Sequence, residues 1–459
     1  MAANNEVYEV PFEVPRLSIA EAIRIASDTG TFSTDYESPL LETVVDVLDE
    51  LGRPDRYYDC LQIAGTNGKT STSRFTAAIL RGEGCKVGLF ASPHLVRFPD
   101  RLELDGRVVD DEEFCYGVSA AYEAGRRVNE RRVAAGLKPY FVSPFDILTV
   151  AGLVVYARAQ VDVAVLEVGM GGRWDATSAT DTVAVAITGI GFDHMKWLGN
   201  TLAQIAGEKA AVIKPGRMVV LGEGVHEPSV QQVMDARCRE CGVVPRVSNH
   251  AVTEAPEFLG DTLRFSTTTA RAIYTPCMVK PTYQAQNAAC AIALAEAYLG
   301  RELNHEQLES SLMSCPTPGR FDMLRSEPLA LIDACHNPQS CENFVSSLDE
   351  IDPNSACRPT LLVAALSDKD VEGITQVLLP AFPRFVVTQT ANKRALPAQE
   401  LSQEVVAELR REGRDDACVE GTFETVADAL AFLDGRGEAF VAAGTITLAG
   451  EVAAIMRGF

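Results

Sequence analysis

The stretch Leu61-Gln62-Ile63-Ala64-Gly65-Thr66-Asn67-Gly68-Lys69-Thr70-Ser71 runs an apolar strand into a glycine-rich loop. Such a loop turns backbone N–H groups toward phosphate oxygens, and the helix that follows adds a partial positive charge at its N-terminus. Lys69 supplies a point charge for the β- and γ-phosphates. Glycine serves here because a side chain would block the close approach of backbone to phosphate. The pattern predicts a nucleotide site formed by Gly65, Thr66, Asn67, Gly68, Lys69, Thr70 and Ser71, with a helical run beginning near Thr72. The general pattern G-x-x-x-x-G-K-[ST] would need glycine where Ile63 stands, so the loop is a compressed variant. A bare G-x-x-G-K also fits an ordinary strand-to-helix turn.

Outward from the loop, strands alternate with helices along the chain, the pattern of a parallel sheet covered by helices on both faces. Residues 161–166 and 183–188 read as buried β-branched strands, each followed by polar residues. Open α/β sheets bind ligands at the C-terminal ends of their strands, so Glu167 and the pair Asp193-His194 are expected in the crevice of the loop. A Pro/Gly stretch at 315–319 marks a hinge, with the boundary between residues 1–316 and 317–459. Beyond it, strands are expected near 330–332, 360–364, 384–387 and 439–443.

With 459 residues, 47% of them hydrophobic, the chain is long enough to bury more than one core. A net charge of −22 argues against nucleic acid or an anionic membrane as partner. No apolar run approaches the roughly 20 residues of a membrane span. The twelve cysteines are scattered, and the first sixteen residues lack an apolar signal segment, so reduced thiols in a cytoplasm are the simpler expectation. Cys238 and Cys241 form a lone C-x-x-C without a second pair at zinc spacing.

Further motifs follow in a fixed order: Ala91-Ser92-Pro93-His94-Leu95, then the run from Glu167 through Gly171-Gly172-Arg173-Trp174-Asp175-Ala176-Thr177. Next come Asp193-His194 with Trp197-Leu198-Gly199, Glu208-Lys209-Ala210, Gly319-Arg320-Phe321 and Asp333-Ala334-Cys335-His336-Asn337-Pro338. With the loop's own G-T-N-G-K-T-S, this order resembles folylpolyglutamate synthase/dihydrofolate synthase of the Mur ligase superfamily, from about Ser33 onward. The resemblance implies an α/β fold in which a central domain of Mur-ligase type carries the phosphate loop and a smaller, Rossmann-like α/β domain follows. It implies an ATP- and magnesium-dependent ligase that adds L-glutamate to a folate or to dihydropteroate through an acyl phosphate, working as a monomer whose domains close on the substrates.

Role by role, the resemblance makes Lys69, Lys209 and His336 catalytic and adds Asn287, Arg320 and Asp333 to the phosphate loop as ATP contacts. Asn287 would meet the adenine and Asp333 the ribose. Two magnesium ions would be held by Ser92, Glu167, His194 and a carbamylated Lys209, since Mg²⁺ takes few protein ligands beside phosphates and water. A monovalent cation is a further candidate. A carbamate needs a neutral amine, which suits a partly buried lysine near a metal. His336 would either stabilise developing negative charge or deprotonate the incoming ammonium. The pterin would lie against Ser143, Phe145, Trp174, Asp175 and Ala176, where aromatic faces stack on flat heterocycles.

Departures from the usual pattern are Thr70, Asp146, Trp174, Ser178, Tyr283 and the segment 36–41. Several border the pterin position, so they bear on substrate identity above all. The nucleotide-binding motifs also admit a Mur-like ligase acting on another carboxylate, or an ATP-binding regulator without catalysis. Each singled-out residue has a structural alternative as well: Ser92 a cap before Pro93, Lys209 a surface lysine, Trp174 a core filler, and Asp368-Lys369-Asp370 a charged loop.

Overall fold

The computed structural model describes residues 7–27 and 41–458. Residues 1–6 of the amino-terminal stretch, Ser33 and the segment 36–40 lie outside them. Two compact units divide the chain. The first comprises Met1–Ala251, Phe265–Cys277 and Gln284–Cys315, and the second Val252–Arg264, Met278–Tyr283 and Pro316–Phe459. The second unit thus takes two short pieces of chain from before the Pro/Gly stretch as well as the long run after it.

An eight-stranded sheet forms the first unit's frame: β1 (Asp59–Ala64), β2 (Val87–Phe90), β3 (Leu102–Leu104), β4 (Arg107–Val108), β5 (Val163–Glu167), β6 (Thr182–Gly189), β7 (Met218–Gly224) and β8 (Arg246–Val247). Their order across the sheet is β4-β3-β2-β5-β1-β6-β7-β8. β2, β5, β1, β6, β7 and β8 pair in parallel, and β3 and β4 extend one edge in antiparallel fashion. The central strands carry Val, Ile, Leu and Ala on both faces because helices cover both. β1 sits between β5 and β6, with Ile63 opposite Glu167 on one side and Ala186 on the other. The chain leaves β1 toward β2 on one side and later returns to β6 on the other. That reversal opens a crevice at the C-terminal strand ends, and the glycine-rich loop occupies it.

The helix after the loop spans Lys69–Gly82, beginning three residues earlier than its polar sequence suggested. Its Thr72, Ser73, Arg74 and Thr76 are all buried, because the helix is covered by its neighbours rather than exposed along one face. Thr76 turns its hydroxyl back onto the carbonyl of Thr72 at 2.7 Å and Arg74 meets Glu103 at 2.7 Å, while the buried Ser73 hydroxyl has no hydrogen-bond partner among the described residues. The helix Gln284–Leu299 is rich in alanine and buried over most of its length. One apolar core joins the helices Ile19–Ser27, Leu41–Glu50, Asp111–Ala134 and Pro144–Arg158 to β2, β3 and β5 around Phe114, Leu153 and Tyr156.

Four short strands follow, β9 (Ala251–Glu254), β10 (Leu263–Thr268), β11 (Ile273–Tyr274) and β12 (Cys277–Met278), with β10 and β11 paired in antiparallel register. The second unit carries β13 (Asp322–Arg325), β14 (Ala330–Ile332), β15 (Thr360–Val363), β16 (Phe385–Thr388), β17 (Val419–Phe423) and β18 (Phe440–Ala443). They run in the order β13-β14-β18-β15-β16-β17, parallel except for β13. β14, β15, β16 and β18 match the expected strands within a residue or two, and β13 and β17, being more polar, do not stand out in the sequence.

All twelve cysteines are free thiols. Cys238 and Cys241 are buried on the helix Pro228–Cys241, where the Cys241 thiol donates to the Ile213 carbonyl. Among the described residues no helix is long and apolar enough to cross a membrane.

Two glycines in the loop are required by their surroundings. Gly68 has φ +83°, and a Cβ there would lie 2.3 Å from the side-chain oxygen of Asn287. Gly65 has φ +147°, and a Cβ there would lie 2.0 Å from the Thr188 hydroxyl. Gly68→Ala therefore combines a left-handed backbone, costing about 1–2 kcal/mol for a residue with a Cβ, with a steric overlap. It should weaken ADP binding at least about tenfold, a loss of about 1.4 kcal/mol readable by calorimetry. Unchanged affinity would show that the loop's shape does not depend on this glycine.

Candidate active site

The loop is tied to the end of β6. Thr66 N–H donates to the Gly189 carbonyl at 2.7 Å, while its hydroxyl donates to the Gly191 carbonyl and accepts from the Gly191 N–H. From β6, the Thr188 hydroxyl donates to the carbonyl of Asn67 at 2.6 Å. Lys69 curls over the loop, its ammonium donating to the carbonyls of Gly65 and Thr66 at 3.0 Å each. Asn287 stands against Gly68, its amide nitrogen bonded to the Gln284 side-chain oxygen at 3.0 Å. It is buried.

Glu167 ends β5 almost fully buried, at 1% exposure. Thr70 donates its hydroxyl to Oε1 at 2.7 Å, and Ser92 donates its N–H to Oε2 at 3.0 Å. Thr70, a departure from the pattern, thus couples the phosphate loop directly to the carboxylate. Lys209 is also buried, at 4% exposure, on the helix Leu202–Ala210, so the surface alternative for it is overturned. Its amine donates to the Gly65 carbonyl at 2.6 Å. Burial, helped by the charge of Lys69, pulls its pKa down to about 7. His194 has φ +50° and precedes the short helix Met195–Leu198, its Nε2 3.6 Å from the Asp193 carboxylate.

Ser92 has a second partner that was not singled out in the sequence. Arg101 reaches its hydroxyl with Nη1 at 3.4 Å and donates from Nε to Nδ1 of His94 at 3.0 Å. Burial and the nearby guanidinium push the His94 pKa down to about 4, so its ring is neutral and accepts this bond. Burial also lowers Arg101, to about 10, against the attraction of Glu167.

The glycine-rich turn after β5 is organised by Asp175. Its Oδ2 accepts the N–H groups of Gly169 and Met170 at 2.9 and 3.1 Å, and its Oδ1 accepts the N–H and hydroxyl of Thr177. Burial raises its pKa despite these bonds. Asp175 and Ala176 are both buried, and Asp175 shapes the turn from within. Ser143 likewise caps the helix Pro144–Arg158, accepting the Asp146 N–H at 3.1 Å while Asp146 accepts the Ser143 N–H. Burial lifts Asp146 to about 6. Phe145 packs edge to face on Phe90, with centroids 5.8 Å apart. Trp174 is 49% exposed, which overturns its reading as a core filler.

In the second unit, Asp333 follows β14 and is buried. Its Oδ2 accepts the Phe321 N–H at 2.7 Å and the Tyr283 hydroxyl at 3.4 Å, and its Oδ1 accepts the Cys335 N–H at 2.8 Å. Burial raises it while Arg320 opposes the shift. Arg320 borders a cavity of about 280 Å³ shared with Lys280, Phe321 and Arg457. His336 Nδ1 lies 2.9 Å from the Ala334 carbonyl, which places the proton of a neutral ring on Nδ1. Asp368 pairs with Arg394 at 2.8 Å, in keeping with a charged surface loop.

No protein-family model matches the chain. A curated relative from Mycobacterium tuberculosis, dihydrofolate synthase/folylpolyglutamate synthase, is 32% identical over 90% of this chain and 88% of its own length. The chain belongs to the dihydrofolate synthase/folylpolyglutamate synthase family. A Bacillus subtilis protein of the same description is 30% identical over 74% of this chain and 78% of its own. Crystal structures of Mycobacterium tuberculosis folylpolyglutamate synthase complexed with ADP and AMPPCP superpose with a TM-score of 0.82 at 30% identity, covering 91% of this chain and 95% of that one. As a dihydrofolate synthase/folylpolyglutamate synthase family member, the chain is an ATP-dependent ligase.

Within this family member, Asp175→Ala should free four donors in the turn 169–177 and cost about 1–3 kcal/mol of stability, read as a lower Tm. Because the turn also carries Trp174, the KM for the pterin substrate should rise more than the KM for ATP. Equal changes in both constants would show that the turn serves the whole unit and not one substrate.

Proposed function

We propose that this chain joins the amine of L-glutamate to the carboxylate of a folate or of dihydropteroate, driven by ATP and passing through an acyl phosphate. A carboxylate oxygen attacks the γ-phosphorus, the bond to the bridging oxygen breaks, and ADP leaves. The glutamate amine then attacks the acyl carbon, phosphate departs, and one proton is released. In-line phosphoryl transfer asks the protein for positioning and charge, and little covalent chemistry. The observation that carries this reading is the buried Glu167 carboxylate, joined to the phosphate loop by Thr70 and to Ser92 by its backbone.

Buried carboxylate oxygens beside a phosphate loop are a hard-oxygen donor set of the kind Mg²⁺ takes. Glu167, the Ser92 hydroxyl, His194 and Lys209 as a carbamate would hold the ions, which supply charge neutralisation on the phosphates when bound. Lys209 favours this modification. With its pKa near 7, a substantial share of the amine is neutral at physiological pH, and it adds to CO₂ with loss of a proton to give an anionic oxygen donor. Lys69 neutralises phosphate charge from the loop. We assign to Asn287, Arg320 and Asp333 the nucleoside side of ATP, with Asp333 acting through the backbone it holds.

His336, with Nδ1 engaged by Ala334, presents Nε2 as the atom that takes the proton of the incoming ammonium. Phe145 and Trp174 are assigned to the pterin, with Ser143, Asp175 and Ala176 shaping the surfaces they stand on. A one-to-one protein working in a cytoplasm as a monomer completes the proposal.

Glu167→Gln keeps the shape but loses the charge, and turnover should fall about 10²-fold or more at limiting Mg²⁺. Near-parental turnover would remove Glu167 from the metal site. Lys209→Ala should be inactive and partly restored by added formate or acetate, whereas full activity without rescue would rule out the carbamate. Trp174→Ala should remove about 1–3 kcal/mol of pterin binding with little change in Tm, and an unchanged pterin KM would place the indole outside the site. Incubation with ATP, L-glutamate and a panel of pterin and non-pterin carboxylates, followed by mass spectrometry of products, tests the activity itself. A glutamyl adduct of a pterin carboxylate is the expected product. Adducts confined to non-pterin acceptors would point to a ligase of different substrate, and no adduct at all to an ATP-binding regulator.

A further inference from the structure

We propose that Arg101 receives the carboxylate that attacks ATP, holding it on the side of Glu167 opposite the phosphate loop. The inference rests on the ligase reading above and adds to it a residue outside the motifs that brought the family to light. Hydrogen bonds give the order of groups across the site. Thr70 of the loop takes Oε1 of Glu167, Ser92 takes Oε2 with its N–H, and Arg101 reaches Ser92 from beyond, through the hydroxyl. In an in-line transfer the leaving ADP oxygen and the attacking oxygen stand on opposite sides of the phosphorus. The loop holds the ADP side, so the attacking oxygen arrives from the side of Ser92 and Arg101.

The guanidinium is built into place. Nε is bonded to Nδ1 of His94, Nη1 to the Ser92 hydroxyl, and the group lies 5.8 Å from the centroid of Phe98. His94 packs on the same Phe98 ring at 4.3 Å, so three side chains clamp one cation. Its hydrogen-bond acceptors are a ring nitrogen and a hydroxyl, and among the described residues no carboxylate lies within ion-pair distance of it. A largely buried guanidinium that Glu167 attracts only from beyond ion-pair distance gains from an anion that joins it directly. Nη2 makes no hydrogen bond to a described residue, which leaves a donor for that anion. A planar carboxylate fits the guanidinium fork in a way that a lysine ammonium cannot reproduce. The γ-phosphate is the other anion within the same chemistry, and the two sources differ in which ligand should feel the loss of charge.

The test compares pteroate with its uncharged carboxamide, measured by calorimetry on the full chain with saturating AMPPCP and Mg²⁺, alongside the affinity for AMPPCP itself. The parent should bind the carboxylate at least tenfold more tightly than the carboxamide. Arg101→Gln should reduce that preference to within about twofold while AMPPCP affinity stays within about threefold, because a carboxamide offers no charge for the guanidinium to match. Arg101→Lys, which keeps the charge and loses the fork, should fall between the two and carries the same comparison where Arg101→Gln does not fold. A preserved preference in the folded variant overturns the inference. So does a loss of AMPPCP affinity with the preference intact, which would assign Arg101 to the γ-phosphate. A parent that binds AMPPCP but neither pterin compound would instead overturn the folate ligase reading on which the inference stands.

Discussion

The contact between Thr70 and Glu167 is the interaction on which the site depends. It couples a loop that follows β1 to a carboxylate that ends β5, and β1 and β5 are neighbours only because the chain reverses direction across the sheet at this point. Every other group in the first unit is placed relative to that pair. Thr66 and Thr188 lash the loop to β6, Asn287 fills the space that Gly68 leaves, and Ser92 closes on the second oxygen of Glu167. A buried carboxylate with donors already on both oxygens keeps its geometry before any ligand arrives, which is the preorganisation that phosphoryl transfer rewards.

Charge distribution follows the same logic. The chain carries a net charge of −22, yet its substrates are anions. Lys69 and Lys209 stand near one another at the loop, Arg101 is attracted by Glu167, and burial lowers the pKa values of Lys209 and Arg101. Low dielectric makes each of these charges count for more than a solvated lysine would. It also makes Lys209 chemically available, since the burial that depresses its pKa is what exposes a neutral amine to CO₂.

Much of the fold was legible because its central strands are buried on both faces and therefore read as unbroken runs of Val, Ile, Leu and Ala. β5, β6, β14 and β18 all announced themselves this way, and the glycine loop marked the active edge. The start of the helix at Lys69 was not legible. Thr70, Ser71, Thr72, Ser73 and Arg74 look like a polar surface, but the helix is enclosed, with Thr70 bonded to Glu167 and Arg74 to Glu103. Arg101 was not singled out either, although its spacing from Ser92 and His94 within one loop was a signal that could have been followed. The capping and turn-forming bonds of Ser143 and Asp175 were not legible, because a capping or turn-forming side chain and a ligand contact call for the same residue types. The groups that the resemblance placed by motif, such as Glu167 and Lys209, sit where the structure gives them both burial and partners.

In the proposed reaction a carboxylate oxygen of the acceptor becomes part of a phosphoryl group. Labelling both carboxylate oxygens of the pterin substrate with ¹⁸O and analysing the phosphate released during turnover with ATP and L-glutamate tests it most directly. An acyl phosphate predicts one ¹⁸O in each phosphate formed and one retained in the amide carbonyl. Phosphate free of label, with a glutamyl product still formed, would contradict the mechanism.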